Sequence, residues 1–178
     1  MRRHLLLVGA PGSGKTTAIR RTIELLRDRR VEVFGFWTGE IRERGARLGF
    51  DIESLAGRRA VMAHVAFKGR PSVSRYGVDV EAVATVAVAE IRRALRDGRP
   101  GAVLAMDEIG KMELMSAEFR DAVVAAMDGP LRVLATAMSK PHEFVDDIKA
   151  RPDVEVIHVI AGNRDALPQA LAERLTGG

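Results

Sequence analysis

The stretch "GAPGSGKT", Gly9 to Thr16, set directly behind the apolar run His4 to Val8, leaves this chain few ways to fold. It fits G-x-x-x-x-G-K-[ST] at every fixed position. It also precedes an amphipathic pattern, Thr16 to Arg30, with Ile19, Ile23 and Leu26 on one helical face. A buried strand, a tight loop and a helix are therefore expected in succession. The glycines let successive N–H groups point inward at phosphate oxygens, and the helix start adds partial positive charge. Gly9, Ala10, Pro11, Gly12, Ser13, Gly14, Lys15, Thr16 and Thr17 are thus the expected nucleotide-binding residues. Lys15 would reach the β- and γ-phosphates, and the Thr16 hydroxyl would hold Mg²⁺.

Further apolar runs follow at Val31 to Phe36, Ala102 to Met106, Leu131 to Thr136 and Val154 to Ile160. They are continuous rather than alternating, which suits a parallel sheet covered on both faces. Helical patterns at Asp79 to Arg96 and Ser116 to Met127 lie between them, so the class is α/β with right-handed crossovers. From Glu40 to Phe67 the alternation fails, and Gly45 and Gly57 fall at hairpin-turn positions. A small antiparallel meander attached to a mainly parallel, three-layer phosphate-loop domain is expected, with all 178 residues in that one domain.

Hydrolysis is separated from other uses of a phosphate loop by "AVLAMDEIGKMEL". Its apolar strand ends in Asp107, the acid expected to hold Mg²⁺, and Glu108 comes next. A carboxylate at the carboxyl end of a parallel strand lies where ligands bind in such sheets. There Glu108 can orient and polarise a water in line with the γ-phosphate. Lys111 and Glu113 follow, open between support of the site and surface pairing. A strand pattern and a helix lie between the phosphate loop and the Asp-Glu strand. That order resembles the RecA-like division of phosphate-loop ATPases, which insert a strand there and use the additional glutamate; within it Thr136 is the candidate γ-phosphate sensor.

"GAPGSGKTT", "GFWTGEIR", "GF" at Gly49 and Phe50, "YGVDV", "DEIGKMEL" and "NRD" occur in the order found in a nucleoside-triphosphatase family described from thermophiles, called cancer-related nucleoside triphosphatases in animals. The chain resembles that family over nearly its whole length, and "DEIGKMEL" is the specific part. The resemblance implies a small Mg²⁺-dependent hydrolase that converts ATP, GTP and other nucleoside triphosphates slowly to the diphosphate and phosphate. It puts Lys15 and Glu108 in catalytic roles, with Thr16 and Asp107 at the metal. The family's two adjacent glutamates near "GFWTGEIR" are here Gly39 and Glu40, so only the second acid is present.

Arg164 in "AGNRDAL" is read as a contact to the nucleotide base. Asn163 as a helix cap is the competing reading, but it would put Pro168 at the fifth helical position, whereas a start near Asp165 keeps that proline in the first turn. Trp37 either stacks at the site or packs under the meander; Arg42, Arg44 and Arg120 read as solvated. His64, His142 and His158 have no second ligand at metal spacing. A nucleoside or nucleotide kinase would need a closing basic lid, for which "SKPHEFVDDIKARPD" is the candidate, and would gain nothing from Glu108. A nucleotide switch would need a partner to set its turnover.

A formal net charge of +4, with no aromatic residues interleaved among basic ones, argues against nucleic acid as partner. The absence of cysteine removes disulfides and thiolate metal sites. The apolar run after "MRRH" is too short for a signal peptide, and no stretch is long enough to span a membrane; a cytoplasmic protein is expected.

Overall fold

The structure, a computed structural model, describes residues 3–177. Nine strands form one sheet in the order β5-β6-β4-β3-β2-β7-β8-β1-β9. Five are parallel: β2 (Val33–Glu43), β7 (Val103–Ile109), β8 (Arg132–Ala137), β1 (His4–Val8) and β9 (Val154–His158). Their unbroken apolar character has a simple cause. Leu5, Leu7, Val103, Ala105 and Leu134 face α1 (Lys15–Asp28) and α6 (Leu167–Thr176). Leu6, Val8, Leu104, Met106, Val133 and Ala135 face the opposite layer. Alternate side chains thus enter two cores, and both need apolar residues.

The opposite layer holds α2 (Val80–Val83), a π turn (Ala84–Val88), α3 (Ala89–Asp97), α4 (Ala117–Asp128) and α5 (Glu143–Ala150). The sequence reads as one α-helix from Asp79 to Arg96. The π turn interrupts it where Val86, Ala87 and Val88 are all buried, a wider face than 3.6-residue periodicity presents. Asp79 caps this rod by accepting from the Glu81 and Ala82 N–H groups, and Ser116 caps α4 by accepting from Phe119 N–H. Phe119 meets Phe36 edge to face, ring centroids 5.9 Å apart, and ties α4 to β2.

Strand β2 belongs to both halves of the sheet. Val33 to Trp37 pair in parallel with Val103 to Asp107, while Phe36 to Glu43 pair antiparallel with β3 (Ala46–Ser54). Arg44 and Gly45 supply the two positive φ angles, 47° and 80°, of the connecting hairpin turn. The antiparallel part outruns its expected end near Phe67: β4 (Arg59–His64) pairs with β6 (Tyr76–Val78), and β5 (Ser72–Val73) closes the edge. Strands of two and three residues are too short to carry a periodicity. Among the described residues no helix is long and apolar enough to cross a membrane.

Gly35 sits in the middle of β2 at φ 149°. A β-carbon there would lie 2.1 Å from the Ala105 carbonyl oxygen on β7, far inside contact distance. Its N–H donates to Glu90 Oε1 at 3.1 Å, and Glu90, buried on α3, also pairs with Arg93.

Candidate active site

At the carboxyl end of β1 the chain turns through Gly9 to Gly14 into α1. Gly12 and Gly14 adopt φ 77° and 106°, which a side chain would oppose, and Ser13 N–H closes the turn on Ala10 O at 3.0 Å. Lys15 reaches back so that Nζ donates to Gly9 O at 2.9 Å and Ala10 O at 3.4 Å. Thr16 and Thr17 stand exposed on the first turn of α1.

Asp107 lies beside this loop on β7, opposite Trp37 in the β2 register. It is 2 % exposed. Thr136 Oγ1, on β8, donates to Asp107 Oδ1 at 2.5 Å. The other oxygen, Oδ2, is buried and finds no partner among the described residues. Burial lifts the Asp107 carboxyl above its ordinary range, and the Thr136 and Thr16 hydroxyls with the Arg20 and Lys15 charges pull it back. A fixed, acidic, oxygen-only corner beside a phosphate loop suits a small hard cation that takes one or two protein oxygens and completes its shell with phosphate and water. Asp107 Oδ2 and the Thr16 hydroxyl therefore fit Mg²⁺. Thr136, the candidate sensor, has its hydroxyl engaged with the candidate metal acid.

Glu108 follows Asp107 through a cis peptide bond and is half-buried. Burial raises its pKa first; Lys15 opposes the shift and Asp107 adds to it. Gly110 separates Glu108 from a third carboxyl group. A β-carbon on Gly110 would lie 3.0 Å from Glu108 Oε1 and 2.8 Å from Glu113 Oε2. Glu113 opens a 3₁₀ turn, Glu113–Met115, and is 5 % exposed, so it makes no surface pair. Arg120, expected in solvent, donates to Leu114 O at 2.5 Å and pins that turn. Lys111 is exposed. Burial, with Glu108 and Asp107 nearby, pushes the Glu113 pKa up to about 8.

A stability prediction follows from that shift. The folded chain holds a proton on Glu113 that the unfolded chain releases near pH 4.5, so native stability falls as pH rises from there to about 8. Thermal melts between pH 5 and 8.5 should show Glu113→Gln losing less melting temperature than the wild type. Parallel curves would refute the assignment.

The remaining candidates are spread around this centre. The loop after β9 is tied by Asn163, whose Oδ1 accepts from Ile160 N–H at 3.0 Å and whose Nδ2 donates to His158 O at 2.8 Å. Asn163 does not cap α6, which starts at Leu167 after Ala166 with Pro168 in its first turn. Arg164 arches over the phosphate loop, its Cδ 3.3 Å from where a β-carbon on Gly14 would stand. A cavity of about 590 Å³ opens beside the phosphate loop, lined by Gly9, Ala10, Ser13, Ser139, Lys149 and Ile160. Trp37 packs against the core beneath α1, with the Arg20 guanidinium 4.8 Å from its ring centre and Nε1 donating to Glu53 Oε2 at 3.4 Å.

Arg42 donates to Glu40 Oε2 at 2.6 Å, and Arg47 pairs with the other Glu40 oxygen, so the single acid of the "GE" pair is engaged on the exposed hairpin. Gly39 faces Asp51, whose Oδ1 would lie 2.5 Å from an added β-carbon. The candidate lid folds as α5, with Val145 and Ile148 buried, Lys149 paired to Asp146 and Arg151 to Asp153 and Asp128. That basic segment is built into the layer.

The model of the NTPase family matches residues 4–172. The chain is 42 % identical to the nucleoside-triphosphatase THEP1 of Natranaerobius thermophilus, over 97 % of this chain and 96 % of that one. It is 38 % identical to the human cancer-related nucleoside-triphosphatase, over 94 % and 93 %. The crystal structure of THEP1 from Aquifex aeolicus superposes with a TM-score of 0.87 at 33 % identity, covering 97 % of this chain and 98 % of that one.

Proposed function

The chain belongs to the NTPase family and is a nucleoside-triphosphatase, and we propose that it splits ATP, GTP and other nucleoside triphosphates to diphosphate and phosphate using Mg²⁺ and a water activated by Glu108. The observation that carries this reading is the convergence of Lys15, Asp107 and Glu108 at the ends of β1 and β7, with one Asp107 oxygen buried and unpartnered. Gly9 to Gly14 would cradle the phosphates through their N–H groups, and Lys15 would exchange its carbonyl partners for phosphate oxygens. Mg²⁺, held by Thr16 and Asp107, would neutralise charge on the phosphate chain.

Glu108 takes a proton from water as the water oxygen attacks the γ-phosphorus, and the bond to the β–γ bridging oxygen breaks. Its raised pKa brings it closer to working pH, where a base both stays largely ionised and accepts protons well. Thr136 keeps Asp107 from rotating and so acts on the reaction through the metal site. Arg164, close to Gly14 of the phosphate loop, would meet the nucleoside end of the substrate.

Phosphate release from ATP, GTP, CTP and UTP, with Mg²⁺ and then with excess chelator, tests this reading. Release from each nucleotide should fall at least about tenfold on chelation, in keeping with the several kcal/mol such an ion contributes, and return when Mg²⁺ is restored. Release indifferent to the chelator would sink the metal assignment. Diphosphate formed without free phosphate, and only when an alcohol or nucleotide acceptor is supplied to carry the phosphoryl group, would point to transfer instead.

A further inference from the structure

Three carboxyl groups gather at the end of β7, and two have cations near them. Lys15 and Arg20 act on Asp107, and Lys15 acts on Glu108. Among the described residues no cation is a leading influence on Glu113, which is enclosed almost as deeply as Asp107. A buried carboxylate facing two others without a counter-charge is a costly species, and such a group takes up a proton instead. The direction of its pKa shift agrees. The backbone N–H groups of Gly110 and of Glu113 itself favour the charged form, and burial outweighs them.

The carboxyl groups of the two glutamates both lie against Gly110. The distances from the position of an absent β-carbon place Glu108 Oε1 and Glu113 Oε2 less than about 6 Å apart. Any residue larger than glycine at 110 would press on both carboxyl groups, so the glycine keeps that gap open. The Arg120 clamp on Leu114 O fixes the turn from below.

We propose that Glu113 is a positioning residue for hydrolysis: an uncharged carboxyl group that sets the direction of the Glu108 side chain from across Gly110. A neutral carboxyl has one O–H to donate. With both carboxyl groups close to the same point at Gly110, that O–H is available to the Glu108 carboxylate, directly or through one water. Glu108 is thereby held toward the γ-phosphate position rather than free to swing, which is where small misplacements cost rate. The inference rests on Glu108 being the base.

The test compares Glu113→Gln, Glu113→Leu, Glu108→Gln and the double variant Glu108→Gln/Glu113→Leu, measuring kcat and KM for ATP with Mg²⁺. Gln keeps an uncharged donor of the same length, so its kcat should stay within about threefold of wild type. Leu should lose about 10- to 100-fold in kcat with KM within about twofold, the mark of misorientation rather than lost binding. The double variant should be no slower than Glu108→Gln alone, because the second residue works through the first.

Equal losses in Gln and Leu would mean that the ionised form is needed, and an unchanged Leu variant would mean that Glu113 is idle. Either overturns the proposal while the hydrolytic reading stands; a wild-type rate in Glu108→Gln overturns both. Should Leu fail to fold, infrared spectra decide between the remaining outcomes. A protonated-carboxyl C=O band at pH 7 that disappears in Glu113→Gln supports the proposal, and its absence from the wild type refutes it.

Discussion

Glu108→Gln should lower the rate of phosphate release by about 10²- to 10⁴-fold, the usual contribution of a general base, while nucleotide still binds. The amide matches the carboxylate in size and cannot take a proton from water. Nothing that would hold the nucleotide is altered: Lys15 keeps its place at the loop mouth, and Asp107 keeps its bond from Thr136. Removing a negative group beside Asp107 should, if anything, favour the bound triphosphate. Single-turnover phosphate release, paired with calorimetric titration of an unhydrolysable analogue, separates the two effects. A variant that binds and turns over like wild type would show that the base lies elsewhere. One that neither binds nor turns over would show that Glu108 holds the site together instead of acting in it.

The second large effect is on stability and involves no chemistry. Gly35→Ala should cost more than about 3 kcal/mol, because it adds a steric clash to an unfavourable backbone conformation. The obstructing atom is the Ala105 carbonyl oxygen, 2.1 Å from the new β-carbon, so no side-chain rotation relieves it. The φ of 149° adds strain for any residue with a β-carbon. Strands β2 and β7 would have to part, and buried Glu90 would lose the Gly35 N–H while keeping its pair with Arg93. For a chain of this length the melting temperature should fall by roughly 6–12 °C. Denaturant unfolding checks the value, and a loss below about 1 kcal/mol would mean that the sheet shifts freely here. Trp37 follows two residues later beside Asp107, so a displaced β2 should also disturb the proposed metal corner.

The turn of the phosphate-loop motif and the strand that ends in Asp107 and Glu108 were legible because their geometry is local. Glycines at 12 and 14 with positive φ, and two acids at the end of an apolar strand, take their places from residues written directly beside them. The two-sided sheet was legible for a related reason, since every core strand had to be apolar at consecutive positions. What could not be read depends on register between distant strands. Nothing near Thr136 announces that β8 would set it against Asp107, 29 residues away. Glu113 sits in a segment whose polar letters look superficial, and only the turn pinned by Arg120 carries it inward. The basic run around α5 looked like a lid because charge is visible in a sequence, whereas the burial of Val145 and Ile148 is not. The meander's end was missed at β5 and β6, where two and three residues cannot display a period.

Strand β1 precedes the other strands of this sheet and pairs with the two that come after all the rest, β8 and β9, roughly 130 and 150 residues further along. During synthesis the meander and its hairpins can settle from neighbouring segments, but the strand under the phosphate loop has to wait for nearly the whole chain. The latest contacts to form are therefore those that aim the loop. A chain halted before β8 would carry every residue of the nucleotide motif and still lack the frame that shapes it. Conversely, a triphosphate that binds only the finished frame draws the last, longest-range step of folding toward completion.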